Sequence, residues 1–265
     1  MSSFAASTAL ERGRDGGFEG VLDERWAIGR GLHGGYVAAT MLRALIDTLE
    51  DAPRQPRSFT THFTRPAMPG PVEVLTAVER SGRSLSTLTG RMLQDGKLVA
   101  LSLAAFADPR QGIAFSDLPL PDVAAPEEIS GFVRDFGRPT FTDNFDYRPA
   151  QGALPFSGAA DSRTGGWIRL LEPQVGDAPF VVALTDAWIP AVLSRLTQPA
   201  GAVPTIDLTV HFRAELPLPG AQPDDFHYIE FVSRLAEHGF WEEDGVVWTR
   251  DGQVLAQSRQ LALLG

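Results

Sequence analysis

A chain of 265 residues is long enough for one large domain or two small ones, and its share of 43% hydrophobic and 21% charged residues is ordinary for a globular protein. The net charge of −10 argues against a general nucleic-acid binder, which needs a basic footprint, but leaves room for a small anionic ligand held by a few arginines. With no cysteine there is no disulfide, thiolate metal site or cysteine nucleophile, which fits a reducing compartment.

The first residues, Met1 to Ser7, lack a basic region followed by an apolar run. No stretch of about 18 uninterrupted apolar residues occurs either, so neither a signal peptide nor a membrane span is expected, and the default location is cytoplasmic. Residues 1–17 are small and polar and are expected to be frayed or lightly packed. Phe18 to Ile28 reads as a strand leading into the turn Gly29-Arg30-Gly31-Leu32-His33-Gly34-Gly35. Tyr36 to Leu49 is an apolar helix broken mainly by Thr40 and Arg43. Arg57 to Arg65 alternates, with Phe59, Thr61 and Phe63 on one face and Ser58, Thr60, His62 and Thr64 on the other, which is a strand pattern. Val72–Val78, Leu85–Leu93 and Leu98–Phe106 read as three more strands, with Asp95-Gly96 as a hairpin turn. From Asp108 to about Gly158 the chain is rich in Pro, Gly, Asp and Phe without a sustained period. It reads as a connection between two units, packed by Phe132, Phe136, Phe141 and Phe145.

The second half repeats the plan. A strand near Gly166 to Leu171 precedes Phe180 to Leu196, a segment apolar almost all round that predicts a buried helix. Thr205 to Arg213 alternates, with Ile206, Leu208, Val210 and Phe212 against Thr205, Asp207, Thr209, His211 and Arg213. Strands follow at Phe226–Leu235, Phe240–Arg250 and Gln253–Leu263. The echo extends to residues: Thr61-His62-Phe63 matches Val210-His211-Phe212, and the run from Asp95 to Ser102 matches that from Asp251 to Ser258. Two copies of strand, helix and meander, each of roughly 100 residues, make a tandem repeat. A helix apolar on most sides needs a wrapper, and a curved antiparallel sheet rolled round it supplies one. The expected fold is therefore α+β, a double hotdog, with an N-terminal unit at 1–107, a linker at 108–158 and a C-terminal unit at 159–265.

Several polar groups interrupt this apolar plan. Asp186 lies in the middle of the second apolar segment, and an unpaired charge there would cost several kcal/mol. Pro190, four residues on, removes the N–H that would bond its carbonyl. A working site or a structural Asp capping a helix from Ala187 both fit these facts. Gly29 to Gly34 fits G-x-G-x-x-G, with Glu50 or Asp51 at the distance of a ribose-binding acid. The next strand alternates and opens an antiparallel meander, which does not suit a parallel dinucleotide fold. Glycines at a helix start can instead leave N–H groups facing an anion or a polarised carbonyl, or can simply serve a tight turn. The five histidines show no H-x-x-x-H or H-E-x-x-H spacing, so no metal is expected, and no cofactor either; no G-x-S-x-G elbow occurs, which argues against an α/β-hydrolase. Gln260 interrupts a small, apolar strand at the place that Ala104 holds in the first copy. Asp186, Thr205 and Gln260 together offer a carboxylate, a hydroxyl and an amide able to hold and deprotonate one water, although Thr205 and Gln260 also read as a plain strand threonine and a bonded core amide.

His33-Gly34-Gly35-Tyr36-Val37-Ala38-Ala39, the stretch from Ser58 to Pro66, and Thr205-Ile206-Asp207 ahead of His211-Phe212 resemble the type II acyl-CoA thioesterases. These are double-hotdog hydrolases similar to bacterial thioesterase B. The resemblance implies that Asp186, Thr205 and Gln260 bind the attacking water. It also implies that the thioester carbonyl meets backbone N–H groups at Gly34 and Gly35, beside His33. Arg65 is a candidate for a CoA phosphate. The expected reaction is hydrolysis of acyl-CoA to acid and CoA, with no nucleic-acid or membrane partner and with a homo-oligomer expected from the exposed sheet edges. A hotdog hydratase or dehydratase using His33, and a non-catalytic acyl-CoA or lipid-binding module, are the alternatives.

Overall fold

The computed structural model describes residues 3–13, 16–49, 54–132, 138–199, 201 and 203–265. Phe136, Glu50 and Asp51, singled out above, lie outside them. The main elements in chain order are β1 (Phe18–Leu22), α1 (Gly34–Thr48), β2 (Gln55–Phe63), β3 (Gly70–Ser81), β4 (Leu85–Gln94) and β5 (Lys97–Ala107), followed by β6 (Phe145–Gly152), β7 (Arg163–Leu170), α2 (Ala178–Leu184), β8 (Thr205–Phe212), β9 (His227–Val232), β10 (Phe240–Trp248) and β11 (Val254–Leu263).

These strands form one antiparallel sheet in the order β1-β3-β4-β5-β2-β8-β11-β10-β9-β7-β6. Outward from the central β2–β8 pair, each half runs through its last strand, its hairpin partners and then its first strand, which is the double hotdog. At the junction Thr60 stands opposite Thr209, with their hydroxyls 3.0 Å apart. The motif match makes these two threonines equivalent, so the repeat's approximate two-fold axis passes between them. The register also confirms the equivalence of Gln260 and Ala104, since Leu208 pairs with Gln260 as Phe59 pairs with Ala104.

Helix α1 is the apolar rod that the sequence predicts, with Tyr36 to Ala39, Met41, Leu42, Ala44 and Leu45 at most 1% exposed. Each large side chain so buried contributes about 1.5–3 kcal/mol. The His33 side chain caps the helix start by accepting from Tyr36 N–H. Asp177 caps α2 by accepting from Phe180 N–H and reaches Arg43 of α1 at 3.3 Å, so the two helices are tied where they pack.

Three expectations are corrected. The predicted helix from Phe180 to Leu196 stops at Leu184; Thr185 and Asp186 form a turn, and a 3-10 turn follows at Ala191–Ser194. Pro190 would bar a helix from running on to Leu196, because it cannot donate to the Asp186 carbonyl, which accepts from His33 Nε2 instead. No helix begins at Ala187, so Asp186 is not a cap. Secondly, Ser3–Ser7 is a short helix whose Phe4 is fully buried edge-on against Trp26 and Phe180, so this segment is not lightly packed. Thirdly, the stretch read as an irregular connection contains β6, an edge strand of the sheet. Earlier in that stretch, Leu118 and Ala124 carbonyls accept from the Trp248 and Trp167 indoles, so it packs across the C-terminal half.

Candidate active site

Asp186 occupies the turn that ends α2, and its side chain is only 13% exposed. The two helices pack closely enough there for its Oδ2 to accept from Gly35 N–H at 2.7 Å. The Gly-Gly pair permits this approach. A Cβ on Gly34 would lie 2.8 Å from Asp186 Oδ2, and one on Gly35 would lie 2.8 Å from the Ala183 carbonyl and 2.9 Å from Asp186 Cβ. The anion facing the start of α1 is therefore the chain's own carboxylate. His33 closes the cluster: its Nδ1 accepts from Tyr36 N–H, which leaves the ring proton on Nε2, donated to the Asp186 carbonyl oxygen at 2.7 Å. The same Nε2 lies 3.3 Å from Asp186 Oδ2. Burial pushes the Asp186 carboxyl above the usual carboxylate range, while His33 and the Gly35 N–H pull it down.

A second polar cluster lies on the inner face of the C-terminal half. Thr205 Oγ1 donates to Gln260 Oε1 at 2.9 Å, and Gln260 Nε2 donates to Glu243 Oε1 at 2.9 Å. Strict alternation in β8 would point Thr205 away from the core, with Asp207. The pairing skips Ile206, so that Thr205 rather than Ile206 stands opposite Ala262. This one-residue bulge turns the Thr205 hydroxyl inward toward Gln260. Glu243, 1% exposed, is not among the residues the sequence singles out; it falls within the strand expected at Phe240–Arg250. The available signal was its place in the repeat, opposite Gln260 as Leu88 is opposite Ala104.

The two clusters meet through the loop that carries Asp186. Glu243 Oε2 accepts from Ala191 N–H at 2.6 Å, five residues beyond Asp186. Burial, with a further push from the Asp186 charge, raises the Glu243 carboxyl to about 8. Phe141 from the middle stretch stacks on His33, with ring centroids 4.1 Å apart, and Tyr147 Oη donates to the Ala187 carbonyl. Arg65 is not drawn into either cluster; its exposed side chain donates to the Leu98 carbonyl at 2.7 Å. Two surface clefts, of about 340 and 430 Å³, open beside the N-terminal segment and are lined by none of the residues named for the site.

Comparison with known proteins bears on both halves. Family models of the acyl-CoA thioesterase N-terminal domain and C-terminal domain match residues 22–107 and 117–264. An uncharacterized protein of Mycobacterium tuberculosis is 27% identical over 274 residues, spanning 93% of this chain and 90% of that one. A conserved protein of unknown function with a hot dog fold from Alicyclobacillus acidocaldarius superposes with a TM-score of 0.91 at 27% identity, over 100% of this chain and 98% of the other. The acyl-CoA thioesterase II TesB2 of Mycobacterium marinum has a TM-score of 0.79 at 20% identity over 99% and 98% of the two chains, which is a likeness of fold.

Proposed function

The chain belongs to the acyl-CoA thioesterase family, and from its site we propose that it hydrolyses acyl-CoA thioesters to a free acid and CoA through a water activated by Asp186. The observation that carries this reading is a largely buried carboxylate held by one backbone N–H, alongside a hydroxyl–amide pair in only one of the two repeats.

In this reading Asp186 Oδ2 stays on the Gly35 N–H and Oδ1 takes the proton of the attacking water. Thr205, whose proton is committed to Gln260, presents oxygen lone pairs to that water, and the Gln260 amide has a second N–H to donate. The water oxygen adds to the thioester carbon, and the carbonyl electrons move onto its oxygen. That oxygen needs donors. Gly34 N–H, the first of α1, has no acceptor within its own helix and is the donor assigned to it. Collapse of the intermediate breaks the C–S bond, and the proton held by Asp186 passes to the CoA sulfur. His33 holds the Asp186 turn in place, and Arg65 is assigned to a CoA phosphate at the rim.

A hydration reaction would need a His33 nitrogen facing the substrate. Both are engaged within the fold, at Tyr36 and at the Asp186 carbonyl, so the hydrolytic reading is preferred.

Thiol release from short, medium and long acyl-CoAs, followed with a thiol-reactive dye, tests the proposal. The chain has no cysteine to add background. Turnover on any chain length supports the reading, and silence across the panel removes it.

A further inference from the structure

We propose that Glu243 is a positioning residue for this reaction, fixing the orientation of the Gln260 amide and anchoring the loop that carries Asp186; the inference rests on the hydrolase reading above. Its carboxyl group sits between the two clusters, with one oxygen on Gln260 Nε2 and the other on Ala191 N–H.

The neighbouring acids show what an ordinary carboxylate does on this strand. Asp244 pairs with Arg234 and Arg259 at the surface, and Glu242 accepts from the Arg234 and Leu235 N–H groups beside Arg259. Glu243 points the other way and meets an amide and a backbone N–H. Burying an acid with no cation against it among the described residues costs several kcal/mol, so it needs a reason. The fold does not supply one. At the same place in the N-terminal half the sheet has Leu88, fully buried, opposite Ala104. The polar pair Glu243–Gln260 therefore replaces an apolar pair that serves the same architecture, and it does so only in the half that carries Thr205 and the Asp186 turn.

Its chemical effect follows from donor and acceptor roles. An amide in this position could turn either end toward Thr205. When ionised, Glu243 accepts from both of its partners through its two oxygens, which draws the Gln260 nitrogen toward Glu243 and leaves the Gln260 oxygen for the Thr205 proton. That order commits the Thr205 proton and frees its lone pairs for water. The bond to Ala191, in turn, sets where the Asp186 turn lies relative to that water. A displacement of about 1 Å at this distance from the chemistry can cost about 10²-fold in rate.

Two variants test this in the full chain. Glu243→Leu copies the N-terminal repeat, and Glu243→Gln keeps the shape but cannot accept from both N–H groups at once. Each is measured for kcat, KM and melting temperature, alone and in a Gln260→Ala background. The expected result is a kcat lower by about 10- to 100-fold with KM within about 2-fold, an unreduced melting temperature, and a smaller further loss once Gln260 is gone, the remainder coming from the loop anchored at Ala191. Wild-type kcat in Glu243→Gln, or an equal loss in both backgrounds, would overturn the assignment. If the wild type itself releases no thiol, the hydrolase reading fails separately. The positioning is then read from the Gln260 side-chain amide resonances, which shift in Glu243→Gln if Glu243 holds that amide and stay in place if it does not.

Discussion

Asp186 and Gly35, 151 residues apart in the chain, are joined by a 2.7 Å hydrogen bond from the Gly35 N–H to Asp186 Oδ2. The bond links the turn after the second helix to the first turn of the first helix, and so ties one repeat to the other at the candidate site. It also explains the two adjacent glycines, since a Cβ at Gly34 would meet the Asp186 carboxylate and one at Gly35 would meet Ala183 of the second helix and Asp186.

Replacing Asp186 with Asn removes the proposed base and keeps the shape, because the amide oxygen can still accept from Gly35. Thiol release is expected to fall by about 10²-fold or more in kcat, with melting within a few degrees of wild type. Undiminished release would show that this side chain takes no part in the chemistry.

Gly35→Ala places a methyl group against the Ala183 carbonyl and Asp186 Cβ, neither of which is the end of a flexible side chain. Overpacking of this kind costs about 1–3 kcal/mol, so denaturant midpoints should drop accordingly. Gly112→Ala is the control, since its Cβ would have no neighbour within 4 Å, and its midpoint should hold.

Thr205→Val and Gln260→Ala each remove one partner of a shared hydrogen bond. Each is expected to lower kcat by about 10-fold or more, and the double variant should lose less than the product of the two. Strict multiplicativity would mean that the pair does not act together. Gln260→Ala should also lower stability by about 1–3 kcal/mol, because it leaves the buried Glu243 Oε1 and the Thr205 hydroxyl without their partner.

Through Glu243, stability should fall as pH rises from about 5 to about 8, with the net fall showing above about 6.5, where His227 no longer opposes it. The Glu243 carboxyl titrates near 8 in the fold against 4.5 for its ordinary value, so across that interval the folded state binds more protons than the unfolded one. The contribution is fully present below the unfolded value and is lost as pH rises through the folded one. Asp186, also shifted upward, acts in the same sense. His227, buried and pushed down to about 4, acts in the opposite sense at lower pH, where stability is lost as pH falls from about 6.5 through 4. Urea unfolding of wild type and Glu243→Leu between pH 5 and 8 separates these effects. The downward slope should be shallower in the variant, and equal slopes would remove Glu243 as its source.

The strands and the first helix were legible because each rests on a local period: Phe59, Thr61 and Phe63 alternate, and Val37 to Leu45 are apolar apart from Thr40 and Arg43. The C-terminal copy added confirmation through literal echoes. Asp186 and Gln260 stood out for a related reason, as polar residues interrupting apolar runs. Glu243 did not, because within three consecutive acids its inward direction depends on the parity of β10 against β11, which the acidic run does not display.

The sequence by itself therefore determined the element order, the duplication, the apolar helix that each sheet must wrap and the polar exceptions in those apolar runs, because hydrophobic period and turn chemistry act over neighbouring residues. Only the tertiary structure decided where those exceptions meet. The bulge at Ile206 turns Thr205 inward to Gln260, the second helix ends at Leu184 so that Asp186 lies in a turn, and the packing of two helices brings that turn onto Gly35. Each of these depends on a contact between distant segments, whose free energy leaves no periodic trace in either segment alone.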